Sequence, residues 1–365
     1  MANANILSQE SSNHANRIFW IDLLRASAAF MVVILHAGSP YLTRYGRFPE
    51  WQWVSVLVVE SWLQVSVPLF FMISGFLFLR KEQPSLIRPL VRAVAPLAAY
   101  SVIASIYLAY FKGTSFSETW GKFIYGKPFY HLWFFYTLIG VYICFYVMRP
   151  RTAGWRPALV TLGAMITLGI GAGRILSEFT GVSSRIFFDG TFVIYLLYGF
   201  LGYYLATAPE ISRRTFWCLC LGVAILAAII SGLTYWVAQA RQAYSPIFLL
   251  YQSPFVIAAS AATFLVLKAI GPTLAKIEGA RAMVSFTARY SLGIYGLHAF
   301  VLDYLRFYTP LGLISQHVIL HVIYMTALTI AISLILARGL AEFDRWGLVV
   351  TSSPPVPVWR RVVGR

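Results

Sequence analysis

Of 365 residues, 59% are hydrophobic and only 12% are charged, about half the charge of an ordinary soluble domain at roughly 25%. A water-soluble fold this poor in charge would expose far more apolar surface than water tolerates, which excludes the soluble classes and leaves the bilayer as solvent. The net charge of +16, from 29 Lys and Arg against 13 Asp and Glu, sits in short loops between apolar runs, which is the pattern of membrane topology and not of a nucleic-acid groove.

In chain order, residues 1–17 are polar and read as a short cytoplasmic tail with no cleaved signal peptide. A helix crossing hydrocarbon needs about 20 mainly apolar residues. That window predicts spans at 18–38, 51–79, 91–111, 132–148, 157–173, 190–206, 215–237, 246–270, 284–307 and 318–341. The fold class is therefore an all-α polytopic bundle of about ten helices, with a transmembrane domain over 18–342. A basic, Pro-rich cytoplasmic tail follows over 343–365. Alternate loops carry 19 Lys and Arg on one side and 9 on the other. The richer side is cytoplasmic, so both termini are expected inside. Cys144, Cys218 and Cys220 all lie in apolar segments, which argues for packing and against a disulfide framework.

The first span, IFWIDLLRASAAFMVVILHAG, holds Asp22, Arg25 and His36. At about 100° per residue Arg25 and His36 share one face, Asp22 lies within about 40° of it, and His36 is roughly 16 Å further out than Arg25. Ionisable residues at such depth usually face a cavity and act there, and imidazole suits a base near neutral pH. The plainer reading pairs Asp22 with Arg25 at the interface and lets His36 snorkel to the outer headgroups.

The second span is interrupted by Pro68, Ser74 and Gly75 and carries Glu60, a possible partner for Arg25 or His36. Arg80, Lys81, Arg88 and Arg92 follow its inner end. Together they suit the phosphates of a soluble donor, or they are ordinary positive-inside charge. His131 and Trp133 open the fourth span, where an aromatic belt is expected without any function. The ninth span places Tyr295 one turn from His298, with Asp303 at the depth of His36, and a carboxylate beside a histidine would fix its tautomer. His317 and His321, four apart, are a weak metal or haem signal, and no metal site is expected.

At these residues the chain resembles the acyltransferase-3 family of integral-membrane O-acyltransferases, which modify surface and secreted glycans. IDLLRASAAFMVVILH resembles the family's Asp-x-x-Arg block, with the Arg followed by ten residues and then His. VPLFFMISGFLFLRK, HLWFFYTLIGVYI and SLGIYGLHAF resemble three further blocks in the same order. The family's Arg-x-Arg pattern is replaced here by adjacent Arg80 and Lys81, so the individual donor contacts do not carry over.

The resemblance implies a bacterial inner-membrane enzyme with no permanently bound cofactor, taking acyl-CoA, usually acetyl-CoA, as co-substrate from the cytoplasm. The acceptor would be a hydroxyl of a glycan or lipid-linked oligosaccharide on the periplasmic side, such as an exopolysaccharide. By position His36 would be the catalytic histidine, with Arg25 and Asp22 beside it. Arg80, Lys81, Arg88 and Arg92, with Ser74 and Gly75, would bind the donor. Glu60, His131, Trp133, Tyr295, His298 and Asp303 would stand near the acceptor or support the site. The lipid bilayer and glycan-assembly machinery are the expected partners, and nucleic acid is not. His36 would act as a general base or carry the acyl group itself, and Arg25 would stabilise an oxyanion or hold Asp22. Two rivals stand beside this reading. A glycan or lipid flippase would move its substrate without acyl transfer, and a haem or quinone protein would use the same histidines.

Overall fold

The computed structural model describes residues 18–81, 85–125, 127–148, 191–313 and 317–351, with single positions 163, 175 and 179 between them. Helices joined by turns and irregular connections make up these residues, and no strand occurs among them. In chain order the helices are α1 (Phe19–Leu42), α2 (Glu50–Leu63), α3 (Ser66–Leu79), α4 (Ile87–Lys112), α5 (Phe116–Tyr125) and α6 (Trp133–Val147). They continue with α7 (Thr191–Thr207), α8 (Arg213–Arg241), α9 (Pro254–Leu274), α10 (Glu278–Tyr308) and α11 (Val318–Leu340). Six units are long and apolar enough to cross a membrane: α1, the α2–α3 pair, α4, α8, α9 and α11. Helices α6 and α7 are apolar but shorter. The expected span at 157–173 falls outside the described residues, apart from position 163.

Local chemistry explains where the helices differ from the expected windows. The second span is two helices, because Pro68 offers no N–H to the Gln64 carbonyl and the chain turns at Gln64–Val65. The span expected from 246 begins at Pro254, which occupies the first helical position after Ser253, where a missing N–H costs nothing. Helix α4 stops at Gly113, whose φ of 64° is left-handed and favours glycine. The short helix α5 beyond it was not expected.

Helix α1 is the hub, packing against α2, α3, α9, α10 and α11 with Leu24, Ala28 and Val33 fully buried. Helices α3 and α7 meet backbone to backbone: a Cβ on Gly75 would lie 2.1 Å from the Gly199 carbonyl oxygen. Helix α8 is outermost, presenting Trp217, Leu221 and Trp236 outward.

The domain does not end at 342. The Asp344 carboxylate accepts from the N–H groups of Leu348, Val349 and Val350 at 2.9 Å each. The Tyr100 hydroxyl donates to the Val349 carbonyl, and the Gly293 N–H donates to that of Val350. Residues 344–351 thus fold back into the bundle, with Val350 and Thr351 fully buried.

Candidate active site

Helices α1, α3, α4, α6 and α10 and the folded-back segment enclose two adjoining cavities. The larger, about 580 Å³, is lined by Lys81, Arg88, Arg92, Arg25, Ser74, Phe78 and Tyr142. The smaller, about 150 Å³, shares Arg25, Phe70, Ser74, Arg92, Tyr142 and Leu348 with it and continues to Ser291, Tyr295, Phe134 and Thr351. Of the cations in this passage, Lys81 and Arg88 line the larger cavity alone, while Arg25 and Arg92, with Ser74 and Tyr142, line both where they adjoin. Together the two cavities fall in the range of small-molecule sites, roughly 300–1,000 Å³.

The passage ends at Tyr295, and a histidine cluster begins there. The Tyr295 hydroxyl donates to the His131 carbonyl at 2.8 Å. One turn along α10, His298 stacks on His36 with ring centroids 5.2 Å apart and planes 4° from parallel. His131 meets His298 edge-on at 5.3 Å, and Tyr130 meets His36 edge-on at 5.1 Å. His36 therefore points into protein, although it lines neither cavity. Two tautomers are set by the backbone. His298 Nδ1 faces the carbonyls of Tyr295 and Ile294 at 2.6 and 3.1 Å, and His131 Nε2 faces that of Gly296 at 3.1 Å. A carbonyl only accepts, so those nitrogens carry the protons. His298 Nε2 and His131 Nδ1 are left as lone pairs, buried and without a partner. Such orphaned acceptors suit a substrate hydroxyl. Gly296 itself lies under the Tyr100 ring, 1.9 Å from where its Cβ would stand, so no side chain fits there.

Other candidates fall elsewhere. Asp22 is buried and lines neither cavity. Gly75 meets the Gly199 backbone at the α3–α7 crossing and lines neither cavity. Arg80 is exposed and lies over the Phe76 ring at 5.5 Å, outside both cavities. Glu60 is buried against Gly38 with its Oε1 unpartnered, so it pairs with neither Arg25 nor His36 through that oxygen. Trp133 packs on Tyr195 at 5.4 Å, away from the passage. Asp303 does not serve a histidine: it accepts from Tyr107 at 2.7 Å and pairs with Lys112 at 3.0 Å, joining α4 to α10. His321 is hydrogen-bonded to Tyr41. Among the described residues no group of three or more His, Cys, Asp or Glu side chains is placed to hold a metal ion.

Two contributions escaped the sequence reading. Tyr142 sits in the passage wall, and its sequence surroundings are uniformly apolar. Arg306 read as outer loop charge, yet its Nη2 donates to the His36 carbonyl and, at 3.0 Å, to that of Ala37. The signal for it was Pro40, four residues past His36.

The sequence model of a family described as an acyltransferase domain matches residues 18–338, nearly the whole of the bundle. No curated protein and no solved structure matches the chain.

Proposed function

We propose that this chain, which belongs to the acyltransferase-3 family of membrane acyltransferases, moves an acyl group from cytoplasmic acyl-CoA, acetyl-CoA first, to a glycan hydroxyl across a bacterial inner membrane. The observation that carries this reading is the passage from Lys81, Arg88 and Arg92 to Tyr295, with the His131–His298–His36 cluster directly beyond it. In this reading the donor's phosphates meet these cations, where fixed positive charge favours them. Its acyl-bearing arm lies along the passage past Arg25 and Tyr142.

The acceptor hydroxyl reaches the cluster from the other side. His36 takes its proton as the oxygen attacks the thioester carbonyl carbon. The C–O bond forms, the C–S bond breaks, and the proton returns to the departing thiolate. General-base help of this kind is worth roughly 10²–10⁴-fold. The lone pairs of His131 and His298 accept hydrogen bonds from the sugar and orient it.

The topology that goes with this is ten crossings with both termini inside. In this reading α1, the α2–α3 pair, α4 and α6 to α11 would supply nine of them. Contacts support that order: Asp303 meets Lys112 and Arg306 meets His36 at one end of the bundle. At the opposite end Lys268 caps the carbonyls of Leu205, Ala206 and Ala208.

The acceptor is tested by deleting the gene and comparing the acyl content of surface, lipid-linked and secreted glycans by NMR. Loss of one ester signal is expected. Unchanged esterification of every glycan would remove the assignment.

A further inference from the structure

We infer that Arg306 is a positioning residue for His36, replacing across the helix interface the backbone N–H that Pro40 takes away. In an α-helix the carbonyl of residue i accepts the N–H of residue i+4. Four residues after His36 stands Pro40, in the last turn of α1, and proline has no N–H to give. The His36 carbonyl is thus left without its helical donor, and a backbone carbonyl taken out of water unpaired is costly. Helices also bend where proline interrupts the ladder. The residue whose ring must be held still is the one the defect would loosen.

Arg306 answers that defect. It projects from α10, two turns beyond His298, and one of its terminal nitrogens donates to the carbonyls of both His36 and Ala37. That nitrogen carries two N–H groups fixed in the guanidinium plane, so two adjacent carbonyls are held at once. The same side chain ties the backbone of His36 to the helix that carries its stacking partner, and the two rings lie 4° from parallel. An arginine at the outer end of a helix would otherwise extend to the headgroups. This one turns inward to the base.

The inference rests on His36 being the base, so the test separates the two claims. Acyl transfer is measured on the full-length protein purified and reconstituted in vesicles, with labelled acetyl-CoA as donor. The acceptor is the glycan fraction that loses its ester in the deletion strain. The variants are Arg306→Met, Arg306→Lys, Pro40→Ala, Pro40→Ala with Arg306→Met, and His36→Ala. Misplacing a catalytic group by about 1 Å can cost about 100-fold. Arg306→Met is therefore expected to lower kcat about 30- to 100-fold with KM for acetyl-CoA unchanged, since the donor mouth lies at the other end of the bundle. Arg306→Lys, which keeps the charge but loses the planar guanidinium, is expected to recover only part of that loss.

Restoring the N–H removes the need for Arg306, so in the Pro40→Ala background the same Arg306→Met change should cost no more than about threefold. Equal losses in both backgrounds would overturn the inference, as would failure of Arg306→Met to fold with or without Pro40→Ala. Full activity of Arg306→Met beside an inactive His36→Ala would overturn it while leaving the base assignment intact. An active His36→Ala would instead remove the base assignment and this inference with it.

Discussion

At the residue scale, the backbone fixes one nitrogen of each of two imidazoles in the cluster and leaves the other open. The carbonyls of Tyr295, Ile294 and Gly296 take the protons of His298 and His131. The opposite nitrogens, His298 Nε2 and His131 Nδ1, are buried without a partner, and in the proposed reaction they accept from the substrate. Asp303 shows the contrast. It stands at the depth of His36 in the sequence, and its residue type invites a triad, but Tyr107 and Lys112 occupy its oxygens. Asp303→Asn is expected to leave the transfer rate within about twofold. It should cost no more than about 1 kcal/mol of stability, the usual worth of a partly exposed ion pair. A fall in kcat to the level of a histidine variant would show that Asp303 acts on the cluster after all. Spacing along one helix was legible, which is why Arg25 and His36 were found on one inward face. Which carboxylate meets which histidine depends on the rotation of α10 against α4, and helical periodicity does not report it.

At the scale of elements, two features settle how the bundle closes around the passage. The first is the α3–α7 crossing, where Gly75 touches the Gly199 backbone. Gly75→Val is expected to force the helices apart at a cost of about 1–3 kcal/mol, as overpacking does. It would be seen as a lower Tm in detergent with KM for acyl-CoA little changed. A raised KM at unchanged Tm would return Gly75 to the donor site. The second is the segment after α11. Asp344→Ala removes the acceptor of three N–H bonds, each worth about 1–3 kcal/mol to a charged group. It should free Leu348 and Thr351 from the passage wall, so that amide exchange over 347–351 rises well above that of α11. Protection equal to the wild type would contradict this role. Neither feature was fully legible. Gly75 stood in a motif that invited a ligand, and the residues beyond 342 read as tail because their polarity hides that Asp344 satisfies them internally. The break in the second span was legible at Pro68, since a missing donor is a property of the residue itself.

At the scale of the whole molecule, the bundle joins a basic mouth on one side to imidazoles nearer the other, with aromatic side chains lining the passage between them. The apolar runs and the loop charges made that polarity readable from the sequence alone. The passage was not, because its walls draw residues from five helices far apart in sequence and from the folded-back segment. The central claim is that acyl transfer passes through His36, and single-turnover transfer in reconstituted vesicles tests it most directly. Labelled acetyl-CoA is supplied to the side bearing Lys81, Arg88 and Arg92, and the acceptor glycan to the other. The wild type is expected to release free CoA and label the glycan. His36→Ala should bind acetyl-CoA normally and fall at least about 100-fold in labelling. Labelling by His36→Ala within tenfold of the wild type, or label that stays on the donor side, would contradict it.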